Sequence, residues 1–193
     1  MKRLIVGLSG ATGAIYGIRL LEVLRDVEDV ETHLIISEAA RRTILLETDY
    51  TTTQVEALAD KLYDFNNTAA AISSGSFKTM GMVVIPCAVK TLSGIANSYG
   101  DNLILRAADV TLKERRKLVL VLRETPLHLG HLRLMTQVTE MGGVIMPPMP
   151  AFYPHPQTID DLINQSVNRV LDILGIELSQ DLFKRWTGPD KAA

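Results

Sequence analysis

Five short apolar runs punctuate the chain: Arg3–Leu8, Thr32–Ile36, Met82–Pro86, Leu118–Leu122 and Val144–Met146. They are rich in Val, Ile and Leu and lack clean polar alternation, the pattern of strands covered on both faces of a parallel sheet. Between them the apolar positions recur at helical spacing. This predicts helices over Ala14–Val27, Glu38–Leu46, Thr53–Leu62, Thr91–Ala96, Asn102–Arg115 and Leu129–Met141, with Ile159–Leu174 after the last run. The small, polar segment Asp64–Ser76 reads as a surface loop.

Alternating strands and helices predict a doubly wound, three-layer α/β fold, a Rossmann- or flavodoxin-like parallel sheet with helices on both faces. At 193 residues and 47% hydrophobic, the chain suits one domain over 1–193, with 175–193 as a C-terminal tail. A net charge of −2 with interleaved signs offers no long-range field for nucleic acid or a membrane surface. The single Cys87 excludes an internal disulfide and a multi-cysteine metal cage, which fits a reducing compartment, so a cytoplasmic location is expected. Lys2-Arg3 imitates the start of a signal peptide, but Gly7, Ser9 and Gly10 cut the apolar run short. No stretch approaches a membrane span.

In doubly wound sheets ligands collect at the carboxyl ends of the strands. After the first run, VGLSGATGA (Val6–Ala14) sets Gly10, Thr12 and Gly13 at the start of a helix, where free N–H groups and the helix dipole favour an anion. It matches neither a Walker loop nor GxGxxG, and an ordinary glycine-rich turn has the same pattern. In CAVKTLSGIA (Cys87–Ala96), Thr91 and Ser93 are candidate helix caps, Cys87 a small buried hydrophobe and Lys90 a solvated charge. Arg106, Asp109 and Lys113 share one helix face, as an exposed salt-bridged stripe also would. Arg123-Glu124 ends a buried run, where a guanidinium grips phosphate and a carboxylate moves a proton. Glu47 closes a helix against its dipole, a placement that a functional role or a basic partner would favour, fraying of the helix end being the alternative. His128 and His131 have no third ligand in evident arrangement and read as capping or surface residues. The proline-rich loop Met146–Gln157 holds Tyr153 on a stiff backbone. Arg169 is a surface arginine or a phosphate ligand, and Trp186 a packing residue.

Taken in order, GATGA, ISEAA with ETD, PCAVKTL, RAADVTLKERR, LVLVLRETP, AFY and LFKRW resemble the UbiX/Pad-type flavin prenyltransferases, collinearly from Leu4 to Trp186. The resemblance implies an enzyme that joins the dimethylallyl group of dimethylallyl phosphate to N5 and C6 of reduced FMN, without a metal. Phosphate is released, and the prenylated FMN serves a UbiD-type decarboxylase. By the same resemblance Gly10, Ala11, Thr12, Ser37, Ala88, Val89, Lys90, Thr91 and Arg123 bind FMN. Ser74, Lys113, Tyr153 and Arg169 bind the donor phosphate, and Glu47, Glu124 and Lys113 are catalytic, Glu47 near the flavin and Glu124 near the leaving group. A homododecamer is implied as well. Three positions depart from the family pattern: Thr12 and Ala88 stand where Ser is frequent, and Thr68 where some members carry an aromatic able to stabilise an allylic cation. The alternatives are an FMN-dependent decarboxylase acting directly on an aromatic or thiol-bearing acid, and a non-catalytic flavin carrier.

Overall fold

A computed structural model describes residues 1–188; residues 189–193 of the expected tail lie outside the described part. In β1 (Lys2–Leu8), Leu4, Val6 and Leu8 turn to one face of the sheet and Ile5 to the other, all buried. This two-sided burial explains why the run carries no alternation. The remaining strands are β2 (Val30–Ile36), β3 (Lys61–Tyr63), β4 (Gly81–Cys87), β5 (Lys117–Leu122) and β6 (Val144–Ile145). All pair in parallel, in the order β3-β2-β1-β4-β5-β6. The helices are α1 (Ala14–Leu24), α2 (Glu38–Glu47), α3 (Thr52–Glu56), α4 (Val89–Ala96), α5 (Leu103–Lys113), α6 (Leu129–Glu140) and α7 (Ile159–Leu174). One core packs Ile18, Leu21, Val167 and Leu171 of α1 and α7 on the sheet; the other packs Leu92, Ile104, Ala108 and Val138 of α4, α5 and α6. The expected doubly wound, three-layer fold is therefore present.

Two local expectations are corrected. The helix expected over Thr53–Leu62 ends at Glu56, and Lys61–Tyr63 becomes the edge strand β3. Asp60 causes the change: its carboxylate accepts from the Thr32 N–H (2.7 Å) and hydroxyl (2.8 Å), which draws the chain alongside β2. Three residues with Lys61 and Leu62 exposed leave no apolar run to read. The segment Asp64–Ser76 is not wholly a surface loop. It contains a 3-10 turn, Ala71–Ser73, with Ile72 buried, and the Phe65 carbonyl accepts from the Leu103 N–H at 2.9 Å.

One buried polar group gives the fold a pH dependence. His33 of β2 is 2% exposed, stacked on Tyr63 and edge-on to Phe77, with Nδ1 2.9 Å from the Tyr63 hydroxyl. Its Nε2 makes no hydrogen bond among the described residues, with the Glu31 carboxylate Oε1 3.4 Å away. Burial lowers its pKa; Glu31 and Asp60 oppose this, and Arg3 and Lys61 add to it. The unfolded chain therefore takes up the proton first. The stability His33 contributes is complete above the unfolded value of about 6.5 and is lost as pH falls from there toward the folded value. The urea midpoint is expected to fall between pH 7 and pH 5, and to fall less steeply in His33→Gln. Equal slopes for the two proteins would refute this assignment.

Candidate functional site

The strand order reverses direction between β1 and β4, and the loops leaving those two strands part there to form a crevice of about 330 Å³. Ser9, 2% exposed, holds the two strand ends together. Its hydroxyl donates to the Pro86 carbonyl (3.1 Å) and accepts from the Ala88 N–H (2.8 Å). Replacement by Ala leaves the Ala88 N–H unpaired, while the Pro86 carbonyl keeps the main-chain N–H of residue 9 at 3.2 Å, so Ser9→Ala is expected to cost about 1–3 kcal/mol and to weaken flavin affinity. A denaturation curve and a flavin titration check this; wild-type values in both would contradict the assigned role.

Gly10, Ser37, Ala88, Lys90 and Thr91 line the crevice, together with Ser9, Glu38, Ala39, Arg42, Phe65, Asn102 and Leu105. A Cβ on Gly10 would stand 2.3 Å from that of Ala39, so only glycine lets the β1–α1 turn meet the start of α2. Ser37 caps α2 by accepting from the Ala40 N–H (3.1 Å), which leaves its own proton to give. Helix α4 begins at Val89, and its cap is Ala88 rather than Thr91 or Ser93. Alanine has no side-chain acceptor, so the first-turn N–H groups of α4 are available to an anion entering the crevice.

The helix start after VGLSGATGA does gather an anion, but one from within the chain. Gly13, at φ 95°, caps α1 and donates its N–H to Glu47 Oε2 at 2.7 Å, with the Ala14 N–H at 3.4 Å. The N-terminus of α1 is therefore taken, and the expectation that its free N–H groups hold a phosphate is corrected. The same contact explains why Glu47 tolerates the end of α2: the dipole of α1 offsets that of α2. Ala11 and Thr12 occupy the turn, with Thr12 exposed.

The Arg123 N–H donates to the Cys87 carbonyl at 3.0 Å, which sets Arg123 and Glu124, both exposed, beside the α4 entrance. Cys87 is fully buried, and burial pushes its thiol pKa far up, as expected of a small hydrophobe. His128 caps α6, its Nδ1 accepting from the Gly130 N–H at 3.0 Å. Among the described residues no three His, Cys, Asp or Glu side chains group as metal ligands.

The expected donor-phosphate residues do not join this crevice within one chain. Helix α5 carries Asn102 at its crevice end and Lys113 at its other end, 11 residues and about 16 Å further along, at the amino edge of the sheet. There Lys113 pairs with Glu114 beside the Ser74–Gly75 turn: a Cβ on Gly75 would lie 2.7 Å from Lys113 Nζ. Tyr153 and Arg169 belong to neither group, and the neighbours of both involve the tail after α7. Tyr153 packs edge-on against Phe183 and Trp186, and Arg169 pairs with Asp172 at 2.7 Å. Sequence reasoning missed Ser9, Arg42, Phe65 and Asn102. Asn102 alone carried a signal, as an N-cap whose side chain accepts from the Leu105 N–H.

The sequence profile of the family described as Flavoprotein matches residues 1–171. Flavin prenyltransferase UbiX of Escherichia coli K12 is 68% identical over 188 residues, which cover 97% of this chain and 100% of that protein. The chain belongs to the UbiX/Pad family of flavin prenyltransferases. Two solved structures share the UbiX architecture. AnUbiX (PadA1), in complex with FMN and dimethylallyl pyrophosphate, matches at TM-score 0.93 and 51% identity over 98% of this chain and 99% of its own. A dodecameric FMN-dependent UbiX-like decarboxylase from Escherichia coli O157:H7 matches at TM-score 0.93 and 54% identity over 96% and 100%. The crevice described above therefore lies on a scaffold shared with these relatives, with its open helix start beside Arg123 and Glu124.

Proposed function

We propose that the chain alkylates reduced FMN with the dimethylallyl group of dimethylallyl phosphate and closes a fourth ring on the flavin. The observation that carries this is the crevice at the reversal of strand order, which brings an uncapped α4 start together with Gly10 and Ser37; Glu47 is anchored just outside that lining, at the start of α1. The bond from prenyl C1 to the ester oxygen breaks as the bond to flavin N5 forms; the departing phosphate takes the bonding electrons and then the proton lost from N5. Prenyl C3 then bonds to flavin C6 as prenyl C2 gains a proton and C6 loses one. The sum is reduced FMN plus dimethylallyl phosphate giving prenylated FMN plus inorganic phosphate.

The first-turn N–H groups of α4, with Lys90 and Arg123, hold the FMN phosphate, and Gly10, Ala11, Thr12 and Ser37 line the flavin. Glu47 receives the C6 proton; Glu124 serves the leaving group. Ser74 and Lys113 from one copy, and Tyr153 and Arg169 from another, complete the donor-phosphate clamp. Such a clamp needs a closed assembly, and a homododecamer like that of the 54% identical relative supplies one. The lone, buried Cys87 suits a reducing cytoplasm. No described helix is long and apolar enough to cross a membrane. The product goes to a UbiD-type decarboxylase.

The test is anaerobic incubation with reduced FMN and either dimethylallyl phosphate or the pyrophosphate, followed by mass spectrometry of the extracted flavin. The expected result is a gain of one C5H8 unit with the monophosphate. An unchanged flavin mass in folded, flavin-loaded protein would overturn the proposal. Carbon dioxide release from an aromatic or thiol-bearing acid by the protein alone would instead favour direct decarboxylation.

A further inference from the structure

The two donor-phosphate residues on the α7 side have a common support. Arg185, in the tail after α7, reaches back and makes a forked pair with Asp172, Nη1 to Oδ2 at 2.9 Å and Nη2 to Oδ1 at 2.8 Å. It makes a second pair with Asp181, Nε to Oδ2 and Nη2 to Oδ1, both at 2.6 Å. Asp172 is the carboxylate that pairs with Arg169. Asn168, 1% exposed, fixes the tail by accepting from the Leu182 N–H at 2.8 Å. Phe183 lies under the Arg185 guanidinium and edge-on to Tyr153.

We propose that the tail segment 181–186 is a positioning strap for the donor-phosphate site, with Arg185 acting through Asp172 on Arg169 and Phe183 setting Tyr153. The inference rests on the reading of Arg169 and Tyr153 as phosphate ligands. Charge balance gives it force. Asp172 and Asp181 carry two negative charges, and Arg185 is the cation that offsets them without using Arg169. Both guanidinium groups, Arg185 foremost, hold Asp172 below the usual carboxylate range. Without Arg185 the two carboxylates would draw Arg169 in and present net negative charge to an incoming phosphate ester. With it, Asp172 orients Arg169 by one bond and leaves the rest of its fork free.

The experiment compares Arg185→Gln, Arg185→Lys and Arg169→Ala in steady-state turnover, with FMN titration as control. Arg185→Gln is expected to raise KM for dimethylallyl phosphate about tenfold, with FMN affinity within twofold of wild type. Arg185→Lys, which keeps the charge but loses the fork, is expected to fall between, and decides the matter if the Gln variant does not fold. In the Arg169→Ala background, Arg185→Gln is expected to add nothing. Trp186, the only tryptophan of the chain and a neighbour of Tyr153, supplies a readout besides activity. Its emission in flavin-free protein is expected to respond saturably to inorganic phosphate, more weakly in Arg185→Gln. If Arg169→Ala raises the donor KM while neither Arg185 variant does, the strap is overturned and the phosphate reading stands. If Arg169→Ala leaves the donor KM unchanged, the phosphate reading falls and the strap with it. Loss of FMN affinity in step with the donor KM would reduce Arg185 to general support and also overturn the proposal.

Discussion

Glu47→Gln is expected to release phosphate from dimethylallyl phosphate in a first turnover yet to form the ring-closed flavin about 100-fold or more slowly. The amide is nearly the same size, and its carbonyl oxygen still accepts the Gly13 N–H, so the 2.7 Å anchor to the start of α1 is kept. What is lost is the ability to take a proton. If the C6 proton goes to Glu47, alkylation at N5 proceeds and closure stalls. Rapid quench, with phosphate assayed beside the absorption spectrum of the extracted flavin, separates the two steps. Unimpaired closure would assign the proton to another acceptor, Glu124 or the departing phosphate. A variant that no longer binds FMN would make Glu47 a structural cap of α1 and nothing more.

Mixed assemblies should do what neither parent does. Lys113 and Arg169 belong to separate groups on the chain, and Lys113 stands at the end of α5 remote from the crevice. Lys113→Ala and Arg169→Ala are each expected to retain little turnover at a donor concentration near the wild-type KM. Co-expressed in equal amounts, they are expected to regain about a quarter of wild-type turnover, because random assembly gives that share of sites both native residues when the two come from different copies. Were both residues drawn from one copy, every site would carry a lesion. Intact mixed oligomers without recovered turnover would therefore end the idea of a shared clamp.

The strands and their two-sided burial were legible because β1, β2, β4 and β5 are long enough for Val, Ile and Leu to dominate. Edge strand β3 was not, since it is held by Asp60 on Thr32, a tertiary hydrogen bond with no periodic trace. At the site, Ser37, Ala88, Lys90 and Thr91 were legible through their place after apolar runs, and the crevice collects them, whereas Val89, the first residue of α4, is not part of its lining. Ser9 was hidden because a serine in a glycine-rich turn looks like a solvated one; its value lies in bonding to Pro86 and Ala88, more than seventy residues away. The partition of Ser74, Lys113, Tyr153 and Arg169 was hidden for a different reason. Motif order along a chain is silent about which sheet edge, or which copy, each residue serves.

The anchor of Glu47 consists of two main-chain amides, from Gly13 and Ala14. Side-chain identity at the intervening turn is thus free to drift as long as the loop keeps its course. Exchange of serine for threonine at position 12 changes a side chain exposed on that turn and leaves the Glu47 carboxylate where it was. Gly10 and Gly13, which shape the loop, are its heritable part, and a lineage can vary the side chains between them without moving the carboxylate.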